Sequence, residues 1–476
     1  MRDVLLDLSL VHFLVIQDVR IYKELNKHGK AIITGIIDEK DEQEVLSTSD
    51  SDRFAKLSMK ASDGSSKVIF TGLIESVNLK SEGNIKTATV TLTGGTRLLE
   101  CVERTRTFQN KDMTYDALIA KVDEAYSSAK HLMHIGNGEA IRDMIVQYKE
   151  NDWTFLKRLA SHFNSCIIPD YEGMGIRYHF GLPAKGSKEM KSKSYRMLNE
   201  VDKLYERKEN KVKGLSAKDG FCYVVKSREY FELGEGVTFR GQPLYISKIK
   251  SRYQGNELLH TYYLRTEGGC KQRQKYNIQL IGASLDANII AVANDTVKVC
   301  VTVDGTQDKS TAKWFPYSTV YSSPDGTGWY CMPEEGDKVR LYFPNEKEEE
   351  GYIISSIHLQ TNQSGGGGIS GGQSAPRSIP DNKSISTKYN KQVELTPSTI
   401  LITNNKGMTI LMDDDKGITI VSDKDITIES EEELSLRSAK STVEVEAPES
   451  IELVQGTAKI TMKDEISVTG TKFKVQ

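Results

Sequence analysis

No run in the chain approaches the roughly 20 consecutive apolar residues that a membrane-spanning helix needs. Cysteine is sparse and scattered: Cys101, Cys166, Cys222, Cys270, Cys300 and Cys331 form no CxxC and no framework spacing. That excludes a disulfide framework and suits thiols kept reduced in the cytosol where the protein is made. A cationic excess is missing too, with 63 Lys and Arg against 66 Asp and Glu and a formal net charge of -3. Recognition of nucleic acid therefore has no electrostatic basis. The apolar start is broken by Asp3 and Asp7, contains His12 and lacks a small-residue cleavage site. Export, where it occurs, is expected to proceed without a cleaved signal.

What is present is β-rich and long. At 476 residues the chain exceeds one core, so three or four domains are expected. Runs of β-branched residues at 31–37, 67–74 and 87–93, separated by polar turns, predict a barrel or sandwich. Two helices interrupt them. Asp112 or Thr114 can cap the first, with Leu118, Val122 and Ala125 on one face to about Ala129. Asn151 can cap the second, whose stripe is Phe155, Leu156, Leu159 and Phe163. A strand pair at 166–169 and 176–180 follows, and strands return from about 200 to 270. Residues 285–360 hold about five strands, enough for a small closed barrel, and the Gly/Ser-rich run 364–376 cannot pack a core.

Beyond Ile385 a short unit repeats: apolar, polar, apolar, polar turn. The first five apolar pairs are Ile400 with Ile402, Met408 with Ile410, Ile418 with Ile420, Ile426 with Ile428, and Leu434 with Leu436. The next five are Val443 with Val445, Ile451 with Leu453, Ile460 with Met462, Ile466 with Val468, and Phe473 with Val475. Successive pairs lie 8, 10, 8, 8, 9, 8, 9, 6 and 7 residues apart. Each unit is a strand too short to bury its own apolar face. A single chain could coil as a solenoid, but three chains winding together would give a dry triangular core and pair every strand edge. All ten pairs are expected to point into that core. At about 4.8 Å per level, ten levels make a needle roughly 50 Å long. Its surface carries 16 acidic against 11 basic residues from position 385 onward.

In order, these pieces resemble the VgrG-like family, the fused hub and spike of contractile phage tails, tailocins and type VI secretion systems. Val68–Ile74 looks like the family's F-x-G-x-V strand, and Arg97–Leu99 with Arg104–Gln109 looks like its strand-to-helix junction. Residues 147–160, QYKENDWTFLKRLA, match its Q-Y-x-E-x-D-x-x-F-x-x-R-L signature, the most specific of the resemblances. Trp314 and Met332–Val339 are similar to its OB segment, where P-x-x-G-D-x-V leads into a core strand.

The resemblance implies a mainly β fold: two barrel-like β domains (1–105 and 196–284) around a helical α+β insert (106–195), then an OB-fold β-barrel (285–360). A Gly-rich linker (361–384) and an intertwined triple-stranded β-helix, or prism (385–476), complete it. It also implies a homotrimer that adapts a sixfold tail tube to a threefold needle and helps pierce a target envelope. The partners implied are the tube protein above the hub, other baseplate proteins and a separate PAAR-like tip cap. Assembly would take place in the bacterial cytoplasm, with the protein extracellular as part of the released particle. The rival readings are a hub-associated peptidoglycan hydrolase and a trimeric tail-fibre adhesin.

No cofactor, catalytic group or metal site is expected. The linker is too short to hold a hydrolase domain, and Glu334 and Glu335, read as consecutive strand residues, would point to opposite faces. His131 and His134 are expected in an exposed loop after the first helix, and some relatives hold iron by an H-x-H near the tip, whereas no histidine follows His358. Asp413–Gly417 is half of a calcium loop and is read as a solvated turn. Trp153 and Trp314 are expected to anchor cores, and Asp152 and Arg158 to form an exposed pair across a helix start.

Overall fold

The structure is a computed structural model that describes residues 5–43, 54–60, 65–184, 186, 188–192, 194–323, 329–357 and 381–462. Its two units, Met1–Thr361 and Asn362–Gln476, are described separately, and both are mainly β.

Alternating burial builds the first unit. Strands β1 (Leu5–Leu8), β2 (Val15–Glu24), β3 (Lys27–Ile37), β4 (Phe54–Lys60), β5 (Ser66–Glu82) and β6 (Ile85–Thr93) open the chain. In β3 Ala31, Ile33, Gly35 and Ile37 are buried while Ile32, Thr34 and Ile36 between them are only partly so, the period-two alternation of a strand. The F-x-G element of β5 has a steric reason. Phe70 is fully buried and stacks on Tyr171 at 4.9 Å, and a Cβ on Gly72 would stand 2.4 Å from the Thr93 carbonyl oxygen.

The insert contributes β7 (Glu103–Phe108), helix α1 (Tyr115–Asp123), β8 (Lys130–Met133), β9 (Ile145–Asn151), helix α2 (Asp152–His162), β10 (Ile167–Pro169) and β11 (Arg177–Phe180). Thr114 caps α1 by accepting from the Ala117 amide at 3.2 Å, and Asn151 caps α2 through Thr154 at 2.9 Å. Helix α1 ends at Asp123, earlier than its pattern predicts, because the chain turns before Ser127 and Ser128, which are poor helix formers. His131 lies in β8, not in a loop, since β8 pairs in parallel with β11.

Next come β12 (Lys188–Glu189), β13 (Tyr195–Asn199), helix α3 (Val201–Glu209), β14 (Phe221–Ser227), β15 (Gly236–Phe239), β16 (Gln242–Gln254) and β17 (Glu257–Arg265). Helix α3 escaped the periodicity reading because Leu204 is its one buried residue, so it has no apolar stripe. The two β regions share one 12-stranded sheet, ordered β1-β4-β5-β6-β3-β2-β16-β17-β14-β13, with β15 joined to β16 and β12 to β15. Their seam is the antiparallel pairing of β2 with β16, from Glu24↔Lys248 to Val19↔Tyr253.

Strands β18 (Ser284–Ala293), β19 (Thr296–Val301), β20 (Trp314–Pro316), β21 (Lys338–Tyr342) and β22 (Tyr352–Ile357) form a five-stranded sheet in the order β20-β19-β18-β21-β22. Its core holds Val297, Val299, Phe315, Leu341 and Phe343. The Pro-x-x-Gly-Asp turn enters β21 with Gly336 at φ 96°, a left-handed conformation that glycine adopts without strain. It docks on β18 by mutual Gly336–Ile289 and Ile289–Asp337 backbone bonds of 2.9 Å. Trp314 does not anchor this core. It is 42% exposed, because its strand neighbour Phe315 takes the inward position and the indole lies under Lys298.

In the second unit, β23 (Lys383–Ser386), β24 (Gln392–Leu395), β25 (Thr399–Thr403), β26 (Thr409–Asp413) and β27 (Gly417–Val421) form an antiparallel meander. Strands β28 (Ile451–Gln455) and β29 (Ala458–Met462) form a hairpin. Asp413 closes a solvated turn, its Oδ1 accepting from the Asp415 and Lys416 amides at 3.1 and 3.0 Å. The Gly/Ser-rich run 364–376 lies outside the described residues.

Candidate functional site

Two features stand out: a buried polar joint in the first unit, and apolar side chains left outside in the second. The joint grows from the motif at 147–160. Met144, just before β9, and Val146 within it enter the core of the five-stranded unit, so insert and barrel share apolar packing. On the other side of β9 the fully buried Gln147 has both polar atoms of its amide engaged. Its Nε2 donates to the Glu150 carbonyl and to Asp152 Oδ1, both at 2.8 Å, and its Oε1 accepts from Arg106 Nε at 2.8 Å. Asp152, at the start of α2, also accepts from Arg104 Nε at 3.1 Å, from Tyr126 Oη at 2.7 Å and from Arg106. A carboxylate at a helix N-terminus is favoured by the exposed amides there.

Asp152 and Arg158 are therefore not an exposed pair. Both are buried and each belongs to a different set of partners. Arg158 Nη2 donates to Glu150 Oε1 at 2.5 Å and to the Val146 carbonyl at 2.6 Å, while Nη1 donates to Glu348 Oε1 at 2.7 Å. Glu348 belongs to the barrel, so one guanidinium clamps three segments, as a planar five-donor group can and an ammonium cannot. Burial pulls the Arg158 guanidinium down, yet the carboxylates of Glu348 and Glu150 more than offset this and hold it above its ordinary value. Burial pushes both carboxyls up, and Arg158 opposes that. His162 is lowered to about 4, by burial and then by the Arg158 charge, and pairs with Tyr115 Oη at 2.9 Å.

Further pins hold the same interface. The Thr107 amide donates to Asp304 Oδ1 at 2.9 Å, Gln109 Nε2 to the Val299 carbonyl at 3.1 Å, and Asn277 Nδ2 to the Tyr148 carbonyl at 2.7 Å. Trp153 is buried as expected, its ring 4.5 Å from that of His28.

The seam of the large sheet holds a second polar set that alternation alone conceals. In β2 the buried row runs Val19, Ile21, Lys23, placing an ammonium in an apolar phase. Lys23 Nζ donates to Tyr230 Oη at 2.7 Å and lies 3.4 Å from Glu232 and 4.6 Å from the Tyr171 ring centroid. Burial lowers its pKa, with Glu232 opposing. In β17 His260 likewise sits in the buried row, bonded to Ser251 of β16 at 2.7 Å and lowered to about 3 by burial and then by Lys23.

Other polar candidates resolve differently. His131 is held between Asp123 at 2.8 Å and Asp116 at 3.1 Å, whereas His134 pairs with His179 at 2.9 Å, so strand geometry separates the two imidazoles. Glu334 and Glu335 lie in the turn before β21, not in a strand, and Glu335 pairs with Lys309 at 2.9 Å. Among the described residues no group of three His, Cys, Asp or Glu side chains could hold a metal ion.

The apolar repeat falls into three parts. In the meander, Ile402 faces Ile410, which faces Ile420, and Ile400 and Ile418 both face Met412. Met412 thus joins a row that the repeat assigned to Met408, which stands in the turn before β26 with its amide on Asn404. From 422 to 450 the chain forms no strand: six-residue stretches at 425–430, 433–438 and 442–447 alternate with bends. The first stretch carries Ile426 and Ile428, the second Leu434 and Leu436, the third Val443 and Val445, and all six side chains are more than half exposed. In the hairpin Ile451 faces Met462 and Leu453 faces Ile460.

None of these apolar pairs forms a core within its own chain. Leu453 and Ile460 are exposed even though they pair, as are Ile400, Ile402, Met408, Ile410, Ile418 and Ile420, while Ile451 and Met462 are half-buried. The physical reason is that a meander and a hairpin are single layers, so in-chain pairing joins strand edges without covering the apolar face. Val445 has not even an edge partner, since its stretch lies in no strand. The last two rungs, Ile466 with Val468 and Phe473 with Val475, lie outside the described residues.

Residues 51–163 match the family "Phage tail baseplate hub (GPD)", and residues 289–358 match "Type VI secretion system/phage-baseplate injector OB domain". No curated protein matches the sequence. Among solved structures, the fold is similar to the E. coli c3393 protein, described as a type VI secretion component resembling the T4 tail proteins gp27 and gp5. That match has a TM-score of 0.52 at 13% identity, covering 74% of this chain and all of that one. It is also similar to a chain of the lidded Francisella PdpA–VgrG complex, with a TM-score of 0.54 at 10% identity, covering 89% and 80%. A segment that matches the baseplate-hub family is thus followed in this chain by one that matches the injector OB domain, on a fold similar to that of these solved structures.

Proposed function

We propose that the protein works as a homotrimer, with residues 1–284 as a hub under a tail tube, 285–360 as an OB collar, 361–384 as a linker and 385–476 as a puncturing needle. The observation that carries this reading is the contrast between the units. The first completes its apolar cores within one chain and gives the buried Gln147, Asp152 and Arg158 partners there. The second leaves regularly spaced apolar pairs outside, joined by extended stretches without in-chain strand partners. A soluble protein rarely leaves so large an apolar surface in water. Three copies around one axis would cover these pairs and supply the missing strand neighbours, with the ten apolar pairs, from Ile400 to Val475, forming the trimer core.

On this reading the sheath of the machine supplies the work and the protein supplies rigidity. A joint in which one buried Arg ties α2, β9 and barrel together suits a part that transmits force, and no catalytic step is assigned to it. The hub would meet the tube protein and other baseplate proteins, and a separate PAAR-like protein would cap the tip. Assembly would take place in the bacterial cytoplasm, before the particle meets a target envelope. Light scattering with low-resolution imaging tests the reading: three chains forming a ring with a thin rod are expected, and a compact monomer would overturn it. A wall-release assay separates it from the hydrolase alternative, for which clear lysis is required.

A further inference from the structure

A cleft of about 520 Å³ opens in the first unit between β2, α2, α3, β16 and the segment after β17. Nine Lys and Arg side chains line it against three Glu, a formal excess of six positive charges in a chain whose net charge is -3. The three carboxylates are already engaged. Glu24 holds Lys27 at 3.1 Å and Lys248 at 2.8 Å, Glu200 holds Lys203 at 2.8 Å and also Arg265, and Glu206 lies 3.6 Å from Arg273. Arg207 and Lys271 donate to backbone carbonyls alone, at 2.9–3.2 Å and 2.9 Å. Lys157 and Lys275 face the cleft without any carboxylate within ion-pair distance among the described residues. Burial and then the neighbouring cation lower both ammonium groups, Lys157 beside Lys275 and Lys275 beside Arg273. Cations held together in this way are stabilised by an arriving anion.

We propose that this cleft binds an acidic peptide segment of a partner protein. Three of the donors without a carboxylate partner, Lys157, Lys271 and Lys275, are ammonium groups on flexible stems, which suit carboxylates distributed along a chain. Leu25, Leu198 and Tyr263 lie among them, so an apolar residue between the acidic ones has a surface to pack on. The space also exceeds what a single phosphate ion fills. This site goes beyond the hub reading and does not depend on it.

The test uses the full chain and a labelled Glu/Asp-rich peptide with a central Leu. Binding is expected to weaken with salt and to fall roughly tenfold or more in the double variant Lys157→Gln with Lys275→Gln. Lys309→Gln, on the barrel and already paired with Glu335, is expected to change nothing. A melting curve of the double variant that overlays the wild type shows that the loss is local. Equal binding by wild type and double variant, or no binding, would overturn the proposal. So would complete displacement by inorganic phosphate at matched ionic strength, which would make this a small-anion site.

Discussion

Hub and needle solve opposite problems with the same kind of strand. In the hub, β3 hides Ala31, Ile33 and Ile37 in a core that its own chain completes, and even Lys23, Gln147 and Arg158 find partners inside. In the needle, Ile418, Ile428 and Leu436 are 69%, 66% and 73% exposed although their spacing is as regular as any in the chain. Alternation gives an apolar face in both, and in the hub the same chain covers it. Whether the covering layer lies in the same chain is decided by strand length and by the supply of other elements. The first unit has long strands, helices capped by Thr114 and Asn151, and three apolar clusters; the needle has strands of four or five residues and no helix among its described residues.

The sharpest way to break the comparison is a charge in a middle rung. Ile426→Asp is expected to bring three like charges together on the needle axis and abolish trimer formation. Sedimentation would read single chains with the hub's circular dichroism unchanged. The corresponding lesion in the hub is Arg158→Ala, which leaves Glu150 and Glu348 buried without their cation. It should cost about 3–5 kcal/mol in chemical denaturation of the hub transition and leave the trimer assembled at low denaturant. Gly72→Ala should follow at roughly 1–3 kcal/mol, because its Cβ would meet the Thr93 carbonyl, and the same measurement reads it.

A gentler probe is pH. His162 and His260 have folded values lowered to about 4 and about 3 from an ordinary 6.5, so the unfolded chain binds more protons in that window. Their contribution to stability is present above pH 6.5 and is lost as pH falls toward 4 and then 3. The hub transition in calorimetry should therefore drop in temperature over that window. The needle, with no histidine after His358, should not follow it until its carboxylates titrate.

How much of this was legible in the sequence differs by feature. Period-two runs and caps marked the hub strands and both insert helices, because Thr114 and Asn151 do locally what their side chains predict. The motif at 147–160 was visible as a resemblance, but its physical content was not. Asp152 and Arg158 are six residues apart on paper, yet their partners come from β7, β9 and the barrel, brought together only by the fold. Lys23 and His260 were hidden for the reverse reason, since a polar residue in an apolar phase gives no signal of its distant partner. Helix α3 had no stripe to find. In the second unit the repeat marks where apolar pairs recur, whereas the meander, the bends and the hairpin depend on strand pairing that the repeat does not specify. Val445 and Leu453 make the point: both keep the spacing, yet one lies in a stretch without strand partners and the other in a hairpin.

Hydrogen exchange on wild type and Ile426→Asp measures the contrast directly, reading hub and needle amides in one experiment. The expected result is equal protection in the hub of both proteins, with protection at 422–450 present in the wild-type trimer and absent in the variant. Protected amides at 422–450 in a monomeric chain would contradict the account, because the needle would then close its own core as the hub does.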